Sequence, residues 1–286
     1  MTVSSMRNLA VVGAGIMGCG IALASARAGF ATSVIEPNSK AIESARAEVD
    51  RILERAREKE GADEAASRAA LGRLTWSAAF DAAKGADLVI EAVPESVAIK
   101  AEVYRNLAPL LGPDAIIATN TSSLSVTELA ATSDRPARFL GMHFFNPVHR
   151  MRLVELVRAR ETSDAALAAA EAASRAMGKE TVVVRESPGF VTTRVNALIG
   201  NEAFSMLEAG IASARDIDKA LKLGLNHPMG PFELVDLVGL DTRLSILEYL
   251  HRTLGEKYRP SPLLVQHVKE GRLGRKVGRG VYEYPS

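Results

Sequence analysis

The stretch Gly13-Ala-Gly15-Ile-Met-Gly18 limits what this chain can fold into more than any other. It follows a short apolar run at residues 9–12 and opens a helical pattern at residues 16–28. At a strand–turn–helix junction the first glycine permits a tight turn. The second lets the backbone approach a pyrophosphate, and the third allows close packing of helix on strand. The start of the helix then offers unpaired N–H groups and a favourable dipole to the phosphates. A second strand-like run, residues 31–35, leads directly to Glu36, whose carboxylate suits adenosine ribose hydroxyls and repels a 2′-phosphate. The neighbours Pro37 and Asn38 supply no arginine to welcome that phosphate. The expectation is an NAD site built on Gly13, Gly15, Ile16, Met17, Gly18 and Glu36.

Further apolar runs at residues 87–93 and 115–118 alternate with helical patterns, notably 96–111, up to about residue 185. That alternation implies βαβ units and a mostly parallel sheet covered on both faces, a Rossmann-type doubly wound α/β domain. Residues 39–70 interrupt it with a long stretch rich in Ala, Arg, Glu and Lys, expected to form an exposed helix or helical hairpin. The Ala-rich segment 164–177 reads as a further helix of the same domain. Ser187-Pro188-Gly189 marks a boundary, because proline stops an element and glycine permits the bend. Beyond it helical periodicity dominates, at 191–208, 214–223 and 232–254, with strand character only in the last few residues. The chain is therefore read as residues 1–187, an α/β cofactor domain, followed by 188–286, an all-α domain.

The charge balance of 35 basic and 34 acidic residues gives a net +1, which implies no general affinity for nucleic acid or an anionic membrane. No apolar run approaches the ~20 residues of a membrane span, and the opening residues 1–8 do not read as a signal peptide. The single cysteine, Cys19, forms no internal disulfide and is read as a small packing residue without chemistry. A cytoplasmic protein is expected.

The second informative cluster is Gly141-Met-His143-Phe-Phe-Asn146-Pro-Val148, followed by Met151-Arg-Leu-Val-Glu155 and preceded by Asn120-Thr-Ser122-Ser123. In the C-terminal part stands Asn226-His-Pro-Met-Gly-Pro-Phe-Glu-Leu-Val-Asp-Leu-Val-Gly-Leu-Asp241. With these motifs in this order, the whole chain resembles the short-chain (S)-3-hydroxyacyl-CoA dehydrogenases, in particular the 3-hydroxybutyryl-CoA branch. The resemblance implies that His143 is the general base, that Glu155 orients it, and that Ser122 bonds the substrate oxygen. It also implies cofactor contacts at Glu95, Lys100, Asn146 and Lys276, and a coenzyme A contact at Lys59. To the helical domain it assigns substrate binding and the formation of a homodimer. The chemistry agrees: oxidising a secondary alcohol requires a group that takes the hydroxyl proton near neutral pH, and imidazole does so. A carboxylate on its other nitrogen fixes the tautomer.

Plainer readings stand beside these. Ser122, Ser123 or Ser125 could cap a helix, Lys100 and Glu95 could be solvated charges, and the Arg- and Lys-rich segment around Arg51, Arg55, Arg57 and Lys59 could be a solvated helix face. One position departs from the family pattern. Thr193 of Gly189-Phe-Val-Thr-Thr193-Arg194 stands where the family carries an asparagine that contacts the substrate oxygen, and Asn196 lies one helical turn further on. Rival functions are a 3-hydroxyadipyl-CoA dehydrogenase, a sugar-acid (gulonate-type) dehydrogenase and a non-catalytic NAD-binding protein.

Overall fold

A computed structural model describes residues 6–61 and 63–284. The chain divides into two compact units, Met1–Ser187 and Pro188–Ser286. In the first, one eight-stranded sheet contains β1 (Asn8–Val12), β2 (Ala31–Ile35), β3 (Leu74–Ser77), β4 (Leu88–Glu91), β5 (Ile116–Thr119), β6 (Phe139–Phe144), β7 (Leu153–Arg158) and β8 (Glu180–Arg185). Their order is β3-β2-β1-β4-β5-β6-β7-β8. The first six run parallel, β7 is antiparallel to β6, and β8 is parallel to β7. β4 and β5 are buried along their full length, which is why each reads as an apolar run, ending in Glu91 and Thr119 respectively. Strand order reverses between β1 and β4, and such a reversal opens a crevice outside the carboxyl ends of the two strands.

The helices of this unit are α1 (Ile16–Arg27), α2 (Ser39–Glu60), α3 (Glu64–Leu71), α4 (Val97–Leu107), α5 (Val126–Ala131) and α6 (Asp164–Ala176). The segment expected to be an exposed insertion is two helices, and it is not wholly exposed. Asn38 caps α2 by accepting from the Lys40 and Ala41 amides, and Gly61, at φ 63°, ends it. Ala45, Val49, Leu53 and Ala56 recur at helical spacing and are buried, the first three in the same apolar core as Leu9, Val11 and Ile90.

The second unit holds α7 (Thr192–Glu208), α8 (Ala214–Gly224), α9 (Pro231–Val238), α10 (Leu240–Leu254) and α11 (Pro262–Lys269). Its core gathers Phe204 and Phe232, edge to face at 5.1 Å, with Leu247, Leu250 and Leu264. The periodicity read as one helix over 232–254 is broken at Gly239, whose φ of 105° is foreign to a helix. A β-carbon there would also lie 2.8 Å from an Asp241 carboxylate oxygen. Apolar spacing continues through the break, so the sequence pattern concealed it. Near the C-terminus, isolated bridges pair Arg279 with Gly274 and with Glu283.

Candidate active site

The glycine turn leads from β1 into α1. Gly13 takes φ 99°, and a β-carbon on it would lie 2.7 Å from the Ala92 carbonyl oxygen at the end of β4. At Gly18 a β-carbon would lie 1.9 Å from the Gly13 oxygen, so this glycine closes the turn on itself. Gly15 differs, since a β-carbon there meets nothing within 4 Å. It occupies the N-cap of α1 and supplies no side-chain cap, and Ile16 beside it is 72% exposed. Amides presented this way fit a pyrophosphate. Glu36, at the end of β2, accepts from the Ala14 amide (3.2 Å) and the Asn38 amide (3.0 Å), which holds its carboxylate beside the turn.

A cavity of about 740 Å³ runs from this turn along one face of α2 to the loop after β6. Gly15, Ile16, Arg51, Arg55, Lys59, Asn146 and Arg150 are among the residues lining it. Lys59 thus shares a basic wall with Arg51 and Arg55, whereas Arg57 lines a separate groove between α2 and α3. Gly20 of α1 admits Val148, whose side chain would lie 2.8 Å from a β-carbon at that position. From the other side, the buried Lys179 ammonium donates to the Val148 and Met151 carbonyl oxygens. Burial pushes the Lys179 amine below the usual lysine range. The loop carrying Asn146 and the cis Asn146–Pro147 bond is held between these two residues, and neither was singled out from the sequence.

His143 lies on β6 and Glu155 on β7, directly opposite each other in the antiparallel register. Imidazole Nδ1 and carboxylate Oε2 are 2.7 Å apart, and both residues are buried. The Phe145 ring packs against the imidazole at 4.5 Å between centroids.

Ser122 sits in the turn after β5. Among the serines weighed as caps, Ser125 is the one that caps α5: it accepts from the Glu128 amide and donates to Glu186 (2.6 Å). Ser122 instead donates its amide to Glu95 at 3.0 Å, with its hydroxyl 3.5 Å from the same oxygen. That oxygen also accepts from the Thr121 hydroxyl at 2.5 Å and the Ser123 amide at 3.3 Å. Asn120 accepts from the Phe144 amide at 2.9 Å and so ties this turn to the end of β6 beside His143. Burial pushes the Glu95 carboxyl upward, but the Lys100 ammonium and these donors outweigh it, leaving the group below its ordinary range.

Lys100 is not the solvated charge of its plainer reading, since it is fully buried. Its ammonium lies 2.6 Å from Glu91 and 3.5 Å from Glu95. Glu91, equally buried, went unnoticed in the sequence, although it is the one charged residue in the buried strand Leu88–Glu91.

Cys19 is buried and donates to the Ala14 carbonyl oxygen at 3.1 Å. Burial, with a lesser contribution from the Glu48 charge, pushes its thiol up to about 11. In the second unit, Thr193 and Asn196 stand one turn apart at the start of α7, both half-buried. Lys276 pairs with Asp241, its nitrogen 2.6 Å from each carboxylate oxygen.

Residues 8–187 match the family model described as 3-hydroxyacyl-CoA dehydrogenase, NAD binding domain, and residues 189–284 match the C-terminal domain of the same family. The 3-hydroxybutyryl-CoA dehydrogenase of Mycobacterium tuberculosis is 44% identical to this chain, over 98% of this chain and 99% of the relative. The 3-hydroxybutyryl-CoA dehydrogenase of Bradyrhizobium diazoefficiens is 42% identical, over 98% and 96%. The crystal structure of (S)-3-hydroxybutyryl-CoA dehydrogenase PaaH1 from Ralstonia eutropha superposes with a TM-score of 0.95 at 45% identity, covering 99% of this chain and all of that one. The chain belongs to the 3-hydroxyacyl-CoA dehydrogenase family, and its cofactor is NAD.

Proposed function

We propose that the chain interconverts (S)-3-hydroxybutyryl-CoA and acetoacetyl-CoA, with His143 as the proton-transfer group. The observation that carries this reading is the buried His143–Glu155 pair at 2.7 Å. With Nδ1 engaged by the carboxylate, proton exchange with the substrate O3 falls to Nε2. Glu155 holds the ring in that tautomer and stabilises the imidazolium formed as the alcohol is oxidised. Ser122 donates to O3, and Glu95 orients the turn that carries it. The glycine turn binds the pyrophosphate and Glu36 the adenosine ribose, while Glu95 and Lys100, together with Asn146 and Lys276, contact the cofactor towards its nicotinamide end. Bound NAD supplies the hydride acceptor in oxidation, and NADH the donor in reduction. Lys59, with Arg51 and Arg55, meets phosphates of the coenzyme A moiety, and the Thr193 hydroxyl supplies a further donor to the substrate.

We further propose a homodimer assembled through the helical unit, in the cytoplasm. In the stretch 232–238 of that unit, Phe232 and Val235 fill the unit's own core. Among the described residues of this unit, Leu223, Ile211, Leu225 and Leu237 are the large apolar side chains left most exposed near its helix ends, at 77%, 69%, 65% and 52%, with Val191 and Val195 about half exposed as well. No helix among the described residues is long and apolar enough to cross a membrane.

The test is NADH oxidation with acetoacetyl-CoA, with 3-oxoadipyl-CoA, and with a CoA-free 3-keto sugar acid. Fastest turnover of acetoacetyl-CoA supports the reading. Preference for either other substrate replaces it with the corresponding rival, and no turnover of any would leave a non-catalytic NAD-binding protein.

A further inference from the structure

We propose that Glu91 is a positioning residue of the cofactor site, holding the Glu95 loop and the Ser122 turn in one arrangement at its nicotinamide end, a proposal that rests on the roles given above to Glu95 and Ser122. Glu91 stands at the carboxyl end of β4 with no exposed surface. One carboxylate oxygen accepts from the Lys100 ammonium (2.6 Å) and the Val93 amide (2.8 Å). The other accepts from the Tyr104 and Thr119 hydroxyls, both at 2.8 Å. The four donors come from the loop after β4, from α4 and from the last residue of β5.

The Lys100 ammonium extends this grip outward, since it also lies 3.5 Å from Glu95 Oε2 and from the Val93 carbonyl oxygen. Glu95 in turn receives Thr121, Ser122 and Ser123. Two carboxylates, one buried and one at the surface, are thus bridged by a single buried cation. Together they fasten the loop after β4 to the loop after β5. Taking such charges out of water is costly, and an apolar pair would often stabilise a fold equally well. What an apolar pair could not do is aim Glu95.

The location gives the arrangement its meaning. Glu36, at the end of β2, marks the adenosine side of the crevice, and the glycine turn at β1 marks its middle. β4 and β5 lie on the opposite side, where the nicotinamide half of the dinucleotide must run.

The experiment compares binding of NADH and of ADP-ribose, which lacks the nicotinamide, by calorimetry on wild type, Glu91→Gln and Glu95→Gln. Glutamine keeps the shape and an acceptor oxygen but loses the charge that holds Lys100. We expect Glu91→Gln to weaken NADH about tenfold while ADP-ribose stays within about twofold of wild type. Unchanged NADH affinity, or equal loss for both ligands, overturns the proposal, because a merely structural role would not single out the nicotinamide. If Glu95→Gln itself does not discriminate between the ligands, the role of Glu95 has failed and the proposal falls with it. If Glu95→Gln discriminates and Glu91→Gln does not, the positioning step alone is wrong. Should Glu91→Gln not fold, Tyr104→Phe removes one donor and decides instead: a selective NADH loss of about threefold supports the proposal, and no selective loss overturns it. None of these measurements requires the acyl substrate, so they stand apart from the turnover assay.

Discussion

His143 and Glu155 face each other across the antiparallel pair of β6 and β7, with Nδ1 2.7 Å from Oε2. Sheet register rather than loop conformation sets this geometry, and a slip of one residue would turn the two side chains to opposite faces. The pair is therefore in place before any ligand arrives. His143→Gln should lower kcat by about 10²–10⁴-fold, the usual range for a positioned acid–base group. NADH affinity should be unchanged, because the residue acts on the substrate oxygen. Glu155→Gln can still accept from Nδ1 but carries no charge, so it should keep part of the activity. Steady-state kinetics with acetoacetyl-CoA, together with NADH titration, checks both, and near-native kcat in His143→Gln would end the assignment.

Glu36 is fixed beside the turn by the Ala14 and Asn38 amides and has no basic neighbour at residues 37–38. A 2′-phosphate there would meet a carboxylate at close range, a juxtaposition that costs several kcal/mol. NADH should be preferred over NADPH by on the order of 10²-fold in kcat/KM, and Glu36→Ala should narrow that gap. Equal values for the two cofactors in the wild type would refute the role given to Glu36.

The sheet was legible in the sequence where its strands are buried on both faces. β1, β2, β4 and β5 stood out as apolar runs, whereas β3 (Leu-Thr-Trp-Ser) and β8 (Glu-Thr-Val-Val-Val-Arg) are edge strands whose exposed faces dilute that signal. His143 and Glu155 could be named from their motifs, but their opposition across two strands is a tertiary fact that twelve residues of separation did not announce. The Glu91–Lys100 pair was hidden for a different reason. Charged residues read as solvated unless a partner is known, and here each one's partner is the other. Glu95 was named as a cofactor contact, and its grip on Thr121, Ser122 and Ser123 emerged only once the loops after β4 and β5 were placed side by side.

Glu95 also gives the fold a pH dependence. Burial alone would raise its carboxyl, but Lys100, Thr121 and the Ser122 and Ser123 amides bring it below its ordinary value of 4.5. A carboxylate depressed in the folded state stabilises the fold above its unfolded pKa, and that contribution is lost as pH falls through the folded value. Melting temperature should therefore drop on acidification below about pH 4.5, more steeply in wild type than in Glu95→Gln. Identical acid slopes for the two proteins would show that these interactions do not favour the ionised form.

The glycine turn separates a residue kept open for a ligand from one required by the fold. Gly15 has φ −69° and ψ −175°, a conformation open to any residue, and a β-carbon there meets nothing within 4 Å. Gly15→Ala should change stability by no more than about 1 kcal/mol, mostly through the poorer N-cap. It should nevertheless weaken NADH about tenfold or more, because the added methyl occupies space over amides that the pyrophosphate has to approach. Gly18→Ala should behave in the opposite order. Its β-carbon would fall 1.9 Å from the Gly13 carbonyl oxygen, and Gly13 cannot simply retreat, since its own α-carbon already faces the Ala92 carbonyl. Backbone must move, at a cost of about 1–3 kcal/mol, and the melting temperature should fall with or without cofactor. Thermal melts and NADH titrations of both variants decide the matter. A Gly15→Ala protein that binds NADH like wild type would show that the pyrophosphate does not lie over this turn, whatever the melts report.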